Sequence, residues 1–271
     1  MTGARIAALP MYDFAPLREA HDGLWLALAR RLVAAGVSGV PVGLMRTPDH
    51  VAGWLDPGLL LGQACEYPLA TRFPGRVRLV ATPHYLAPGC EGPRYRSVIL
   101  VRAADPARGL PDLRDRRCVI NEPDSNSGMN LLRATIAPLA RDGRFFGAVT
   151  VSGSHLASTT QVAEGLADVA AIDCVSFAHF QRWQPDLTAR LRILAWTAPS
   201  PSLPWITAGS TDDATVALLR TALGEVIADA ALAEVRARLL LASFSLNPDE
   251  SFAEVRELAR GADLAGYPSL A

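Results

Sequence analysis

Residues 121–128, with the sequence NEPDSNSG, place short polar side chains and a glycine between an apolar segment and an amphipathic one. The first turn of a helix leaves amide N–H donors without partners and carries partial positive charge. Ser125, Asn126 and Ser127 add side-chain donors at this place, and Gly128 lets a ligand approach the backbone closely. The segment therefore predicts a site for a small oxyanion that needs no lysine, with an ordinary capped turn as the alternative.

Two further polar residues follow apolar segments that we expect to be strands. The segment 151–155, VSGSH, is typical of a strand-to-helix junction, and His155 there is a candidate donor to an anion. Its charge titrates near physiological pH if its environment is ordinary. Asp173 ends the segment 169–173, and α/β proteins place ligand groups at the carboxyl ends of parallel strands. Asp173 is therefore a candidate acceptor for a ligand hydroxyl or amine. A helix cap for His155 and a structural hydrogen bond for Asp173 are the alternatives.

The composition excludes several kinds of site. The 26 residues of the Lys and Arg class are all Arg, since the sequence contains no Lys. Walker A nucleotide sites, kinase-type lysines and lysine Schiff bases are therefore excluded. A net charge of −1 provides no basic surplus for a nucleic-acid partner. The cysteines lack metal-ligand spacing, so we expect no metal and no other cofactor.

The length and the hydropathy pattern indicate two folded lobes without membrane insertion. A chain of 271 residues suits two lobes of roughly 130 residues each. The uncharged stretches 145–163 and 193–211 have the length of a membrane span, but the first contains many polar residues and the second three prolines. We interpret both as core strands with turns rather than as membrane helices.

The beginning of the chain and its cysteines bear on its location. The apolar run at 6–11 is too short for a secretory signal, which predicts a cytoplasmic protein for the sequence as written. A leader that was removed, or a start further upstream, would make it periplasmic. We expect the cysteines to be buried thiols, with a Cys65–Cys90 disulfide as the alternative for an exported protein.

The alternation of apolar and amphipathic segments predicts an α/β fold with mainly parallel sheets flanked by helices. Strands are expected at 118–121, 148–151 and 169–173, each followed by a helix, and the helix after the first of them is expected to run from about 128 to 141. The last 60 residues are predicted to be helical. A further strand is predicted at 40–44.

The run from residue 83 to residue 207 resembles the phosphate/phosphonate substrate-binding proteins of ABC importers, in the type 2 periplasmic-binding-protein superfamily. The matching motifs are GCEGPRYRS at 89–97, SNSG at 125–128, VSGSH at 151–155 and DVAAIDCVSF at 168–177. Looser agreement extends to the segments 10–12, 63–68 and 266–268. The spacing of the motifs carries the resemblance more than any one of them.

The resemblance implies a two-lobed clamp with a ligand in the inter-lobe cleft. One lobe is expected to contain residues 1–98 and 196–271, and the other residues 99–195, which would carry the oxyanion-binding helix start. Two strand crossovers would form the hinge. An ABC permease is the protein partner that the resemblance implies.

In the family, hydroxyl side chains and amides of the serine-rich turn hold the phosphonate oxygens, a histidine adds a donor, and tyrosines of the opposite lobe close over the ligand. Tyr12 and Tyr95 match those tyrosines, and we add Gln63 and Tyr67 from their position at a strand end. The full set of predicted ligand-binding residues is Ser125, Asn126, Ser127, Gly128, His155, Asp173, Tyr12, Tyr95, Gln63 and Tyr67.

The resulting prediction is a non-enzymatic protein that captures a small phosphate-like or organophosphonate oxyanion as the substrate-binding component of an ABC-type importer. Asn126 departs from the hydroxyl residue common at its position in relatives. A cytoplasmic sensor of a small metabolite on the same fold is one alternative. The other is a hydrolase with Ser127 or Ser154 as nucleophile, His155 as base and Asp173 as the group that orients it.

Overall fold

A computed structural model describes residues 4–246 and 249–271 of the chain, with side chains described outside 247–251. The chain divides by its internal contacts into two compact units. The first contains Met1–Leu86 and Ser202–Ser251, and the second contains Ala87–Pro201 and Phe252–Ala271.

Strands in the described part of the chain are numbered in sequence order. They are Ile6–Ala8 (β1), Leu59–Gln63 (β2), Val77–Tyr85 (β3), Arg94–Tyr95 (β4), Ser97–Arg102 (β5), Arg117–Ile120 (β6), Ala148–Val151 (β7), Ala170–Asp173 (β8), Leu191–Trp196 (β9), Ser200–Pro201 (β10), Trp205–Ala208 (β11) and Leu241–Ser245 (β12).

The α-helices are numbered in the same way. They are Arg18–Ala34 (α1), His50–Trp54 (α2), Glu66–Thr71 (α3), Leu131–Ile136 (α4), His155–Glu164 (α5), Cys174–Trp183 (α6), Pro185–Thr188 (α7), Asp213–Ala228 (α8), Ala233–Arg238 (α9) and Asp249–Leu264 (α10). None of the helices found in residues 4–246 and 249–271 has both the length and the apolar character to cross a bilayer.

The first unit is built on a five-stranded sheet with the strand order β1-β2-β11-β3-β12. The pair β1–β2 is parallel, whereas β11 and β12 run antiparallel to their neighbours. Helix α1 packs against α8 and α9 and buries Leu24, Trp25, Leu28 and Leu32. These residues are spaced by one, three and four positions, which places them on one face of the helix.

The second unit contains three small sheets. Strand β5 lies between β8 and β9 and is antiparallel to both, β6 and β7 form a parallel pair, and β4 pairs with β10. Strand β8 is buried along its whole length, which explains its uninterrupted apolar sequence before Asp173. Helix α5 ends at Gly165, whose φ of 79° suits a left-handed helix end.

The α/β class is confirmed, but the expectation of mainly parallel sheets is wrong because both units have mixed strand directions. Two local predictions also fail. No strand forms at 40–44, where Pro41 and Gly43 interrupt the apolar run and Val42 is exposed. Strand β12 interrupts the predicted helical C-terminal region because it pairs with β3.

The contact division differs from the predicted lobes in its boundaries and in the placement of the last residues. Residues 252–271 group with the second unit rather than with the first. The buried Arg133 guanidinium donates to Asp263 Oδ1 at 2.6 Å and to the Pro268 carbonyl at 2.9 Å. Tyr267 is fully buried in the same core as Phe145. These contacts attach the chain end to the second unit.

Candidate functional site

The segment 125–128 forms the start of a helical region in the second unit. Ser125 precedes a π-helical turn, Asn126–Asn130, that continues into α4. The Ser125 Oγ accepts a hydrogen bond from the Gly128 amide at 3.0 Å. Ser125 is therefore a helix cap, which the sequence also offered as the plain explanation of this turn.

Ser127 and His155 meet at this helix start. The Ser127 Oγ lies 2.8 Å from His155 Nε2 and 3.4 Å from the Ser125 Oγ. His155 is the first residue of α5, which Ser154 caps by accepting from the Ala157 amide at 3.1 Å. The starts of two helices thus bring two hydroxyls and an imidazole together, as the sequence predicted.

The surroundings of His155 fix its protonation state. Burial lowers the pKa of the imidazole to about 4, so the ring is neutral between pH 5 and 8. The ordinary environment under which we expected His155 to titrate near physiological pH is therefore not present. His155 Nδ1 is buried and has no hydrogen-bond partner among the described residues.

The direction of the hydrogen bond between Ser127 and His155 depends on the tautomer of the ring. With the proton on Nε2, the ring donates to the Ser127 Oγ. With the proton on Nδ1, the Ser127 O–H donates to Nε2. In both tautomers the pair places a hydroxyl and a neutral imidazole side by side at the start of a helical segment.

The Asn126 side chain is used within the second unit. Its Nδ2 donates to the Tyr95 hydroxyl at 3.1 Å and to the Ser200 Oγ at 2.9 Å, and its Oδ1 accepts from Asn130 Nδ2 at 2.9 Å. Asn126 and Tyr95 are both buried. Tyr95 belongs to the same unit as the serine turn, not to the opposite lobe as predicted. Any direct role of these two residues with a ligand stays a prediction.

Gly128 lies against the Asn121 side chain within the unit. A Cβ at this position would lie 1.8 Å from the Asn121 Oδ1 and 3.3 Å from His155 Cε1. The glycine therefore makes room for the Asn121 side chain and keeps the histidine close to the turn. The sequence-based reason, close approach of a ligand, is not needed to explain it.

Asp173 ends β8, beside a strand that contacts the serine turn. Its Oδ1 accepts from the Ser176 amide at 2.8 Å and caps α6. Asp173 pairs with Ser97 across the β5–β8 ladder, and the Ser97 Oγ donates to the Ser127 carbonyl at 2.9 Å. The predicted structural hydrogen bond of Asp173 is present, and its role as a ligand acceptor stays a prediction.

The remaining predicted residues lie in the first unit. Gln63 Nε2 donates to the Tyr85 hydroxyl at 2.8 Å and to the Leu203 carbonyl at 3.2 Å. The Tyr12 and Tyr85 rings pack edge to face with their centroids 5.1 Å apart. Tyr12 and Gln63 are buried, whereas Tyr67 on α3 is half-buried. The three residues stay predicted ligand contacts, and Tyr12 and Gln63 already share contacts with Tyr85.

The sequence analysis did not identify the residues that hydrogen-bond to this turn from distant parts of the chain. Ser97 and Ser200 reach the serine turn from other strands, and nothing in their local sequence indicates such a contact. Asn121 lies inside the predicted turn, and the glycine seven positions later was the available signal for its close approach.

The fold is of the α/β class, and its structural neighbours are two-lobed periplasmic binding proteins. The family model for ABC transporter, phosphonate, periplasmic substrate-binding proteins matches residues 63–252. The chain therefore belongs to this family of phosphonate-binding components of ABC transporters. No curated protein matches the chain.

Solved structures with the same fold extend over nearly the whole chain. A binding protein component of an ABC phosphonate transporter from Pseudomonas aeruginosa is 16% identical with a TM-score of 0.77, covering 97% of this chain and 87% of that one. PhnD1 from Prochlorococcus marinus in complex with methylphosphonate is 13% identical with a TM-score of 0.75, covering 96% and 98%. An ATP-bound protein from Xanthomonas citri is 17% identical with a TM-score of 0.72, covering 97% and 98%.

Proposed function

We propose that the protein reversibly binds a small tetrahedral oxyanion, an organophosphonate or a phosphate-like anion, at residues 125–128 and His155 of the second unit. The hydrogen-bonded pair of Ser127 and His155, 2.8 Å apart at the start of a helical segment, carries the proposal. Family membership supports the phosphonate class of ligand.

The binding chemistry relies on dipoles rather than on a cationic side chain. The Ser127 and Ser125 hydroxyls and the amides of a helix start are donors that stabilise negative charge. Hydrogen bonds to a charged group contribute about 1.5–3 kcal/mol each. Four of them at about 2 kcal/mol amount to roughly 8 kcal/mol, and association costs at least about 4 kcal/mol. Micromolar affinity, about −8.2 kcal/mol, therefore requires further contacts to the organic part of the ligand.

The same geometry disfavours hydrolysis. A general base must accept a proton near the working pH, and the His155 pKa of about 4 makes it a weak base at neutral pH. A triad also needs a group that orients the base, whereas Asp173 caps α6 and His155 Nδ1 has no partner among the described residues. Ser154 is likewise occupied as the cap of α5.

The proposed role in transport is supported by the family rather than by the site. Substrate-binding proteins of this family serve ABC transporters and are described as periplasmic. We propose that the protein delivers its ligand to an ABC permease, and that it acts in the periplasm. Detection of the native protein in the periplasmic fraction of its source cells would support this step, and its recovery only with cytoplasmic markers would contradict it.

Calorimetric titration tests the ligand class. The folded protein is titrated separately with methylphosphonate, aminoethylphosphonate, phosphite and phosphate, and with sulfate as an anion of similar shape. We expect saturable binding of at least one of the phosphorus oxyanions, with weaker binding of sulfate. A protein that melts cooperatively and gives no saturable heat with any of them would contradict the proposal.

A further inference from the structure

Two cysteines of the second unit lie close together and take no part in the hydrogen bonds described above for the proposed anion site. The Sγ atoms of Cys90 and Cys174 are 3.5 Å apart, although the residues are 84 positions apart in the chain. Cys174 is buried, whereas Cys90 is half-buried. Cys90 is a thiol facing Cys174, so the pair with Cys65 that the sequence left open is not formed.

The backbones of both residues are anchored by hydrogen bonds near the sulfur atoms. The Cys174 amide donates to the Arg96 carbonyl at 3.0 Å, and the Cys90 amide donates to the Ala87 carbonyl at 3.0 Å. Gly89 and Gly92, on either side of Cys90, have φ values of 94° and 55°. Sulfur atoms 3.5 Å apart on two hydrogen-bonded backbones place the two thiols within reach of each other.

A disulfide has an S–S bond of about 2.05 Å, so the two sulfurs must approach by roughly 1.5 Å. A change of the χ1 angle of Cys90 moves its sulfur over such a distance, because Sγ lies off the Cα–Cβ rotation axis, and Cys90 is only half-buried. The buried Cys174 can keep its place at the start of α6.

We propose that Cys90 and Cys174 are a disulfide site, which closes when the protein meets a disulfide oxidant such as glutathione disulfide or the disulfide of a thiol oxidase. The proposal is independent of the ligand assigned above. The predicted role of the bond is to fasten the turn around Cys90 to the start of α6.

The exchange proceeds in two steps that balance atoms and electrons. The Cys90 thiolate attacks one sulfur of the oxidant disulfide, forms a mixed disulfide and releases the other sulfur as a thiol. The Cys174 thiolate then attacks the Cys90 sulfur and releases the second thiol. The two cysteines lose two electrons and two protons, and the oxidant disulfide is reduced to two thiols.

The order of the steps follows from access. An attacking thiol must be reached by the oxidant, and Cys90 is the more exposed of the two residues. The hydrogen bond with Cys90 and burial raise the pKa of the Cys174 thiol, so that Cys174 acts second, once Cys90 carries a leaving group. We therefore expect a mixed disulfide on Cys90 and none on Cys174.

Peptide mapping can assign the bond without ambiguity. Cleavage after arginine separates the four cysteines into peptides 47–72, 79–94, 118–133 and 145–182. The full-length reduced protein is incubated with glutathione disulfide, unfolded, alkylated and digested without reductant. We expect peptides 79–94 and 145–182 to be linked, with Cys65 and Cys118 alkylated. A link between 79–94 and 47–72, or alkylation of all four cysteines, would overturn the proposal.

Three variants separate the steps. Cys174→Ser should accumulate glutathione on peptide 79–94, and Cys90→Ser should carry none on peptide 145–182. Cys65→Ser is the matched control and should form the link as the original protein does. Glutathione found on Cys174 in the Cys90→Ser protein would contradict the order of the steps, even if Cys174→Ser fails to fold.

Thermal unfolding gives a second readout. Closing so long a loop should raise the melting temperature of the oxidised protein by roughly 5–10 °C over the reduced protein. Cys90→Ser should melt at the same temperature with and without oxidant. An oxidised protein that carries the link but melts no higher than the reduced one would contradict the fastening role.

Discussion

The polar cluster of the second unit and that of the first unit use their hydrogen bonds differently. In the second unit, the Ser127 Oγ and Nε2 of a neutral His155 lie 2.8 Å apart at the start of a helical segment. In the first unit, the Gln63 amide donates to Tyr85 and to the Leu203 carbonyl. The difference is that the cluster of the second unit lies at a helix start, where backbone amides add donors for an anion, whereas a ligand contact by Tyr12 or Gln63 stays a prediction.

The largest expected effect comes from Gly128→Ala, which closes the space that brings the serine turn and His155 together. The new Cβ would lie 1.8 Å from the Asn121 Oδ1, so the turn or the asparagine must move. We expect a loss of about 3 kcal/mol in the free energy of unfolding and a loss of ligand binding. Urea unfolding and calorimetric titration measure the two effects.

Gly224→Ala in α8 is the matched control, because a Cβ there meets nothing within 4 Å. It should be neutral or stabilise the protein by about 0.5–1 kcal/mol. The Gly128→Ala protein could instead have the same free energy of unfolding as the Gly224→Ala protein and still bind the ligand. That result would show that the close packing at Asn121 is not needed for the site.

The pH dependence of stability tests the neutral histidine. Because the folded-state pKa of His155 is about 4 and its unfolded value is near 6.5, the unfolded state binds more protons between these values. Stability is therefore lost as the pH falls from about 6.5 to about 4, by up to about 3 kcal/mol. His155→Gln lacks this contribution.

Denaturant unfolding of both proteins at pH 7, 5.5 and 4.5 measures the difference. The original protein should lose more stability on acidification than His155→Gln does, and His155 should add no pH dependence to ligand affinity between pH 6 and 8. Parallel stability curves for the two proteins would mean that His155 is not held neutral by burial.

Ser127→Ala removes the hydroxyl next to His155 and should weaken ligand binding by about 2 kcal/mol, or roughly 30-fold. Ser154→Ala is the matched control, since Ser154 caps α5 next to His155. It should cost about 1 kcal/mol of stability and leave the affinity within threefold. Titration calorimetry and thermal unfolding of both variants test this, and a larger affinity loss in Ser154→Ala than in Ser127→Ala would contradict the role of Ser127.

The smallest expected effect is that of Tyr85→Phe in the first unit. The substitution removes the hydroxyl that accepts from Gln63, which should cost about 1 kcal/mol of stability. From the comparison of the two clusters we expect ligand affinity to change by less than threefold. A loss of tenfold or more in a titration would place the Tyr12, Tyr85 and Gln63 cluster in the binding site.

Local sequence patterns predicted the turn at 121–128 and helix starts at about 128 and at 155, because polar turn residues after apolar runs indicate the local backbone conformation. They did not predict that Ser97 bonds to the Ser127 carbonyl, since this depends on the antiparallel β5–β8 pairing of distant segments. Strand β12 was not predicted because a short apolar run between helices is compatible with a strand or with part of a helix.

The His155 pKa and the attachment of residues 252–271 both depend on burial in the folded protein, which the sequence alone does not reveal. The His155 pKa follows from its desolvation, which depends on neighbours throughout the second unit. The attachment of residues 252–271 follows from the contacts of Arg133 and Tyr267. The amphipathic character of α10 predicts that it packs on a core but not which core it joins.

A crystal structure of the protein grown with methylphosphonate tests the central claim most directly. We predict phosphonate oxygens within about 2.6–3.2 Å of the Ser127 Oγ and of at least one amide of residues 126–128. His155 should lie against the same oxygen atoms or against Ser127. An ordered phosphonate that contacts neither Ser127 nor any of these amides would contradict the claim.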